Sequence, residues 1–310
     1  MKAIIFKEGR ARLTTTQAPP IPVANESLVR IEIAAICSTD REILRGYRPD
    51  FSGIMGHEFV GVVSAGDDAC LIGKRVVGEI NLSCGRCLYC MTERSRHCSQ
   101  RRTLGINNKD GSFAEFLTLP TALLHPVPEG LTPEQAVYTE PLAAALRITE
   151  QVTFEPDMPV AILGDGRLAF MVCQALAAMT TTVLTVFGRH PEKLSLFEPY
   201  ASVSREPKGD FEVVIDATGS PTGLTTALRL TRSEGTLVMK STYAGLTELD
   251  MSEVVVREIR IQGSRCGSFE PALELLHTSR VTLPPIELYP PEDFEAAFDS
   301  SAFKAALDFR

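Results

Sequence analysis

Pro159-Val160-Ala161-Ile162-Leu163-Gly164-Asp165-Gly166-Arg167-Leu168-Ala169 is the stretch that decides the fold. Its unbroken apolar run reads as a strand buried on both faces, as in a parallel sheet. Gly164-x-Gly166-x-x-Ala169 follows at once, with Arg167 and Leu168 opening an apolar helix that the sequence carries to about Met179. A strand, a glycine turn and a helix are the setting a dinucleotide fingerprint needs. The first glycine makes the turn, the second lets the backbone approach a pyrophosphate, and a small third residue lets helix and strand pack closely. The plainer reading is a glycine loop used only as a turn. Working outward, Thr182 to Phe187, Phe211 to Asp216 and Gly235 to Met239 repeat the buried-strand pattern. Pro141 to Val152 reads as a helix with proline in its first turn. Strands alternating with helices predict a doubly wound parallel α/β sheet.

About twenty residues past such a fingerprint, an acid commonly holds the adenosine ribose of NAD. Here the second strand ends Val186-Phe187-Gly188-Arg189-His190, with no acid. A glycine leaves space, and Arg189 offers a planar cationic fork suited to a 2′-phosphate. His190 and Lys193 add positive charge. The candidate cofactor residues are therefore Gly164, Asp165, Gly166, Arg167, Leu168, Gly188, Arg189 and His190, with NADP favoured over NAD. Alternatively, Arg189 is a solvated loop residue.

The 310 residues exceed the usual span of one hydrophobic core, so two domains are expected. The first 140 residues alternate in short runs, such as Leu28-Val29-Arg30-Ile31-Glu32-Ile33 and Phe59-Val60-Gly61-Val62-Val63, between Gly and Pro turns. That pattern suits a mostly antiparallel β domain. The parallel-sheet domain would span residues 141–267, and residues 268–310 would return to the first domain. A net charge of -8 argues against nucleic acid as a partner. No apolar run approaches the roughly 20 residues that cross a bilayer, and the N-terminus lacks signal-peptide features. A cytoplasmic, reducing setting is the expectation.

That setting governs how eight cysteines are read. Closely spaced cysteines in a reducing compartment point to metal binding more than to disulfides. Cys84-x2-Cys87-x2-Cys90-x7-Cys98 can wrap four thiolates around one centre, the closed sulfur set of structural zinc. Packed thiols, disulfides or an iron–sulfur cluster are the other readings. His97 adjoins the set but is surplus to a filled tetrahedron. Cys70, Cys173 and Cys266 read as packed thiols.

A second set is dispersed: Cys37 in Cys37-Ser38-Thr39-Asp40, His57 and Glu58 after Gly56, and Glu140 in Thr139-Glu140-Pro141. Each alone could be a core thiol, a buried imidazole or a helix-terminal acid. Together they offer sulfur, nitrogen and carboxylate oxygen, as an open catalytic zinc site does. With Gly56-His57-Glu58-Phe59-Val60-Gly61, Gly164-Asp165-Gly166 and Asp216-Ala217-Thr218-Gly219 in the same order, nearly the whole chain resembles the zinc-containing medium-chain dehydrogenase/reductase family.

The resemblance implies a GroES-like catalytic domain split around a Rossmann nucleotide-binding domain, with the active site in the cleft. It makes Cys37 and His57 ligands of a catalytic zinc and Glu140 the third ligand. Glu58 becomes either a ligand or a neighbour that exchanges with water. Thr39 would hydrogen-bond the substrate oxygen, and Asp40 would orient His57. The implied reaction is reversible oxidation of a secondary alcohol or polyol by NAD(P), in an enzyme with one catalytic and one structural zinc that forms a dimer or tetramer. A zinc-free quinone or enone reductase of the same fold, or a non-catalytic NADP-binding protein, are the competing readings. Three departures stand out. Glu42 occupies the position of a relay histidine, the chain is short for the family, and Ala169 replaces the third glycine.

Overall fold

Val160, Ala161 and Ile162 are fully buried within the strand Pro159–Leu163. In the computed structural model, which describes residues 1–242 and 247–310, this strand lies inside a six-stranded sheet. The strand order is Ser202–Ser204, Val183–Phe187, Pro159–Leu163, Phe211–Asp216, Thr231–Met239 and Arg260–Gly263. All neighbours run parallel. The chain therefore moves outward from Pro159–Leu163 in one direction, then crosses back to continue in the other. That reversal is the switch point where doubly wound sheets bind ligands.

Helix Arg167–Met179 buries Ala169, Phe170, Val172, Cys173 and Leu176. Ala169 is fully buried, so the third fingerprint position has room only for a small side chain. Phe170 meets Phe197 edge to face, ring centroids 5.2 Å apart, in the favoured geometry for aromatic pairs. Two strands escaped the sequence reading. Ser202–Ser204 is three residues long, and Arg260–Gly263 is an exposed edge without a buried apolar run.

The other compact unit comprises Met1–Glu140, Ala272–Thr278 and Leu283–Arg310, while Pro141–Pro271 and Ser279–Thr282 form the parallel-sheet unit. The anticipated return at 268 and the observed one at 272 both fall at the start of helix Phe269–His277. The main sheet of the first unit has seven strands, with Glu26–Ala35 in its interior. Glu58–Gly66 pairs antiparallel on one side of that strand, and the C-terminal strand Lys304–Asp308 pairs antiparallel on the other. Ala35 is consequently flanked by Glu58 and Ala306. This register carries Cys37, Glu58 and Lys304 to one end of the sheet. Among the described residues, no helix is long and apolar enough to cross a membrane.

Candidate active site and metal centres

Cys37 lies two residues past the strand Glu26–Ala35 and caps helix Ser38–Leu44. Its backbone N–H donates to Asp40 Oδ2 at 2.8 Å, which fixes the turn. Asp40 is fully buried, and its other oxygen lies 3.4 Å from Nδ1 of buried His57. Neither of those two atoms has another hydrogen-bond partner among the described residues. A buried carboxylate oxygen facing that ring nitrogen sets the tautomer of the neutral imidazole: Nδ1–H points at Asp40, and Nε2 offers its lone pair once its own proton is displaced.

Gly56 lets the chain deliver His57 there. A Cβ at residue 56 would lie 2.5 Å from the Phe113 ring, and its φ is +91°. Burial works to remove the proton of His57. The opposing charges of Asp40 and Cys37 prevail, and its pKa stands well above the ordinary histidine value.

Ligand atoms of Cys37, His57 and Glu58 all lie within 4.8 Å of one another. Thiolate, imidazole and carboxylate at that spacing match a three-ligand zinc site. Thr39 places its hydroxyl oxygen 3.7 Å from the Cys37 sulfur. Glu140 lies in the first turn of helix Thr139–Gln151 and is not one of the three gathered residues. Glu42 forms an ion pair with Arg45 at 2.7 Å.

The sequence reading missed Lys304. Its ammonium forms an ion pair with Glu58, and both side chains are all but inaccessible to solvent. The Tyr138 ring lies 5.8 Å from the same ammonium, within cation–π range, and its hydroxyl is anchored on the Pro284 carbonyl. A signal existed. Lys304 is a lone charge before the apolar run Ala305-Ala306-Leu307 in a strand with hydrogen-bonded neighbours on both sides.

In the four-cysteine lobe, the sulfurs of Cys84, Cys87, Cys90 and Cys98 all fall within 4.8 Å of each other. Cys87 and Cys90 are 3.5 Å apart, and Cys84 and Cys90 are 3.9 Å apart. Tetrahedral zinc with bonds of about 2.3 Å sets sulfur–sulfur edges near 3.8 Å, whereas a disulfide requires about 2.05 Å. The spacing fits the metal. Backbone N–H groups of Cys84 and Gln100 donate to Cys98 Sγ, each at 3.3 Å. The backbone N–H of Cys90 helps push the Cys87 thiol down to about 6. Cys84 is also held below the ordinary cysteine value, while Cys98 stands above it, so the loop favours thiolates at two of its four positions before any metal arrives. His97 is exposed and packs beside Tyr89. Cys173 is a buried thiol pushed up to about 12, as a packed residue should be. Cys70, by contrast, is exposed, because it lies in a loop after the strand Glu58–Gly66 and not in the core.

At the dinucleotide loop, Gly166 caps helix Arg167–Met179. Arg189 and His190 are exposed after the strand Val183–Phe187. In the Asp216-Ala217-Thr218-Gly219 motif, the Thr218 hydroxyl donates to Asp216 Oδ1 at 2.7 Å, pinning the turn beside the switch point.

Residues 23–129 match the model of the alcohol dehydrogenase GroES-like domain. Residues 195–278 match the zinc-binding dehydrogenase model. An L-threonine 3-dehydrogenase of Bacillus licheniformis is 26% identical, covering 96% of this chain and 95% of the relative. A sorbitol dehydrogenase of Halalkalibacterium halodurans is also 26% identical, over 91% and 90%. A Sinorhizobium meliloti chain described as a zinc-binding dehydrogenase, solved with NADP bound, has 25% identity. It superposes with a TM-score of 0.89 over 99% of this chain and 98% of its own.

Proposed function

This chain belongs to the zinc-containing medium-chain dehydrogenase/reductase family, and on that premise we propose that it reversibly oxidises a secondary alcohol or polyol with NAD(P). The observation that carries the reading is the cluster of half-buried Cys37 with buried His57 and Glu58, with Asp40 behind the imidazole and Thr39 beside the thiol. Cys37 and His57 would hold a catalytic zinc, with Glu58 or Glu140 as the carboxylate ligand. When bound, zinc supplies Lewis acidity that makes the substrate hydroxyl easier to deprotonate, and the nicotinamide accepts the hydride.

The chain's own groups set the stage for that chemistry. Asp40 fixes the imidazole tautomer so that Nε2 faces the metal. The Thr39 hydroxyl accepts the substrate's proton and hands it outward. Lys304 pairs with Glu58 in a dry site, where an unpaired carboxylate would be costly. Cys84, Cys87, Cys90 and Cys98 would hold a second, structural zinc with no position left open for substrate. Four thiolates kept for metal require a reducing compartment, which supports a cytoplasmic setting.

NADP is the favoured cofactor, supported by the absence of an acid at the end of Val183–Phe187 and by exposed Arg189. The partner surface we favour is a second copy of this chain. Arg260–Gly263 is a sheet edge, and Val255 and Val256 nearby are 72% and 80% exposed. Sedimentation at micromolar concentration should give a dimer or tetramer, and a monomer would exclude that assembly. The activity is tested by turnover on a panel of polyols and secondary alcohols with each cofactor. The expected result is metal-dependent oxidation of at least one of them. Reduction of quinones or enones that survives complete removal of zinc would contradict the proposal.

A further inference from the structure

Asp165 sits between the two glycines of the fingerprint, where a pyrophosphate loop needs only backbone. Its side chain is nevertheless nearly buried and fully employed. Oδ2 accepts three hydrogen bonds, from the backbone N–H of Arg189 at 2.6 Å, that of His190 at 2.8 Å and His190 Nδ1 at 3.0 Å. All three donors belong to the turn that follows the strand Val183–Phe187. Burial opposes the ionised carboxyl, yet these N–H groups hold its pKa below the usual aspartate range.

Gly188 completes the fit. A Cβ at that position would lie 2.7 Å from both Cβ and Oδ2 of Asp165. The place where this fold commonly starts an acidic side chain for the ribose is therefore filled by a carboxylate arriving from the first loop. Asp165 and Gly188 form a matched pair, since an acid cannot stand at 188 while Asp165 stays.

Two roles are open to such a carboxylate. It could itself receive the ribose hydroxyls, which would favour NAD. Alternatively, it could be committed to the turn, which would leave Arg189 as the group that meets the cofactor. Three donors on one oxygen, two of them backbone, point to the second role. We infer that Asp165 is a positioning residue for the cofactor's adenosine end: it clamps Gly188–His190 and so presents Arg189 to a phosphate on the ribose 2′ oxygen. The inference rests on the NADP reading proposed above and adds the residue that makes Arg189 effective.

The test is binding of NADPH and NADH to the full chain, followed by the fluorescence of the reduced nicotinamide, in wild type and in the Asp165→Ala, Asp165→Asn and Arg189→Ala variants. Wild type should prefer NADPH. Asp165→Ala should weaken NADPH roughly tenfold and NADH much less, as loss of a charge-assisted clamp predicts. Asp165→Asn retains an oxygen acceptor for the two backbone N–H groups and should recover most of the preference. Thermal melting of each variant separates general unfolding from this selective loss. A rise in NADPH affinity relative to NADH in Asp165→Ala would make Asp165 the ribose acid and overturn the inference. Equal losses for both cofactors would reduce Asp165 to a fold residue and overturn it too. A wild-type preference for NADH defeats the Arg189 reading itself, and it appears before any variant is measured.

Discussion

Two ligand clusters share the first unit and are built in opposite ways. The four-cysteine lobe takes all its donors from residues 84–98, on short elements such as the helix Leu88–Met91 and the 3₁₀ turn Ser95–His97. Its surroundings are exposed: Leu88 and Met91 are 70% and 75% accessible. The Cys37–His57–Glu58 cluster draws on the cap of helix Ser38–Leu44 and the start of strand Glu58–Gly66, and His57 and Glu58 are buried. The lobe offers sulfur alone and backbone N–H groups as support. The second cluster offers mixed donors, two of them backed by a buried charged partner, Asp40 for His57 and Lys304 for Glu58. A contiguous all-sulfur loop can stabilise its surroundings but leaves a metal no open position. A dispersed, mixed and desolvated set keeps a position for substrate, at the cost of burying charges that must be paired.

The largest test of this contrast is catalytic. Cys37→Ser should lower kcat/KM on the order of 10³-fold, since a Lewis-acid metal supplies several kcal/mol and each ~1.4 kcal/mol is tenfold in rate. Its melting temperature should stay within a few degrees of wild type. A variant with unimpaired turnover would erase the distinction between the clusters.

Next comes the buried ion pair. Lys304→Met leaves Glu58 without its cation and should destabilise the fold by about 3–5 kcal/mol in equilibrium denaturation. Adding Glu58→Gln should restore much of that loss. If the double variant is no more stable than the single one, the ion pair is not what the lysine provides.

The lobe should respond in the opposite sense to the catalytic cluster. Cys87→Ser should lower Tm by roughly 10 °C, as loss of a structural metal worth several kcal/mol requires. The turnover of the remaining folded protein should fall far less than in Cys37→Ser. A Cys87→Ser protein that melts normally but is inactive would reverse the assignment of the two sites.

A smaller effect separates the sites by pH. Metal competes with protons for its ligands. His57 holds its proton more tightly than a free imidazole, so protons displace metal there at a comparatively high pH. In the lobe Cys84 and Cys87 are held below the ordinary cysteine value, Cys87 at about 6, while Cys98 stands above it, so two of the four thiolates compete with protons at lower pH. On lowering pH from about 8 to about 6 with a weak chelator present, zinc should leave the catalytic cluster first, with activity vanishing before the melting temperature drops. Simultaneous loss of both would show that these proton affinities do not govern release.

Much of this was legible in the sequence because it is local. The run Pro159–Leu163 and the spacing Cys84-x2-Cys87-x2-Cys90 each lie within one turn or one loop, so residue type and interval carry the information. Cys37, His57 and Glu58 were found through short motifs, not through any visible contact between them. What stayed hidden depends on register. Lys304 meets Glu58 across 246 residues, because two strands flank Ala35 from opposite sides. Asp165 read as a candidate cofactor residue within the glycine loop, and only the fold brings it to the turn at His190. Glu140 was expected as the third ligand and Glu58 as a ligand or exchanging neighbour, and the fold gathers Glu58 beside Cys37 and His57.

A second metal at the Cys37–His57–Glu58 cluster should show in the zinc content per chain of wild type and His57→Ala. Wild type should hold about two zinc ions and His57→Ala about one, the variant still folded and its turnover gone. One zinc in both proteins, with turnover undiminished, would contradict a second metal there.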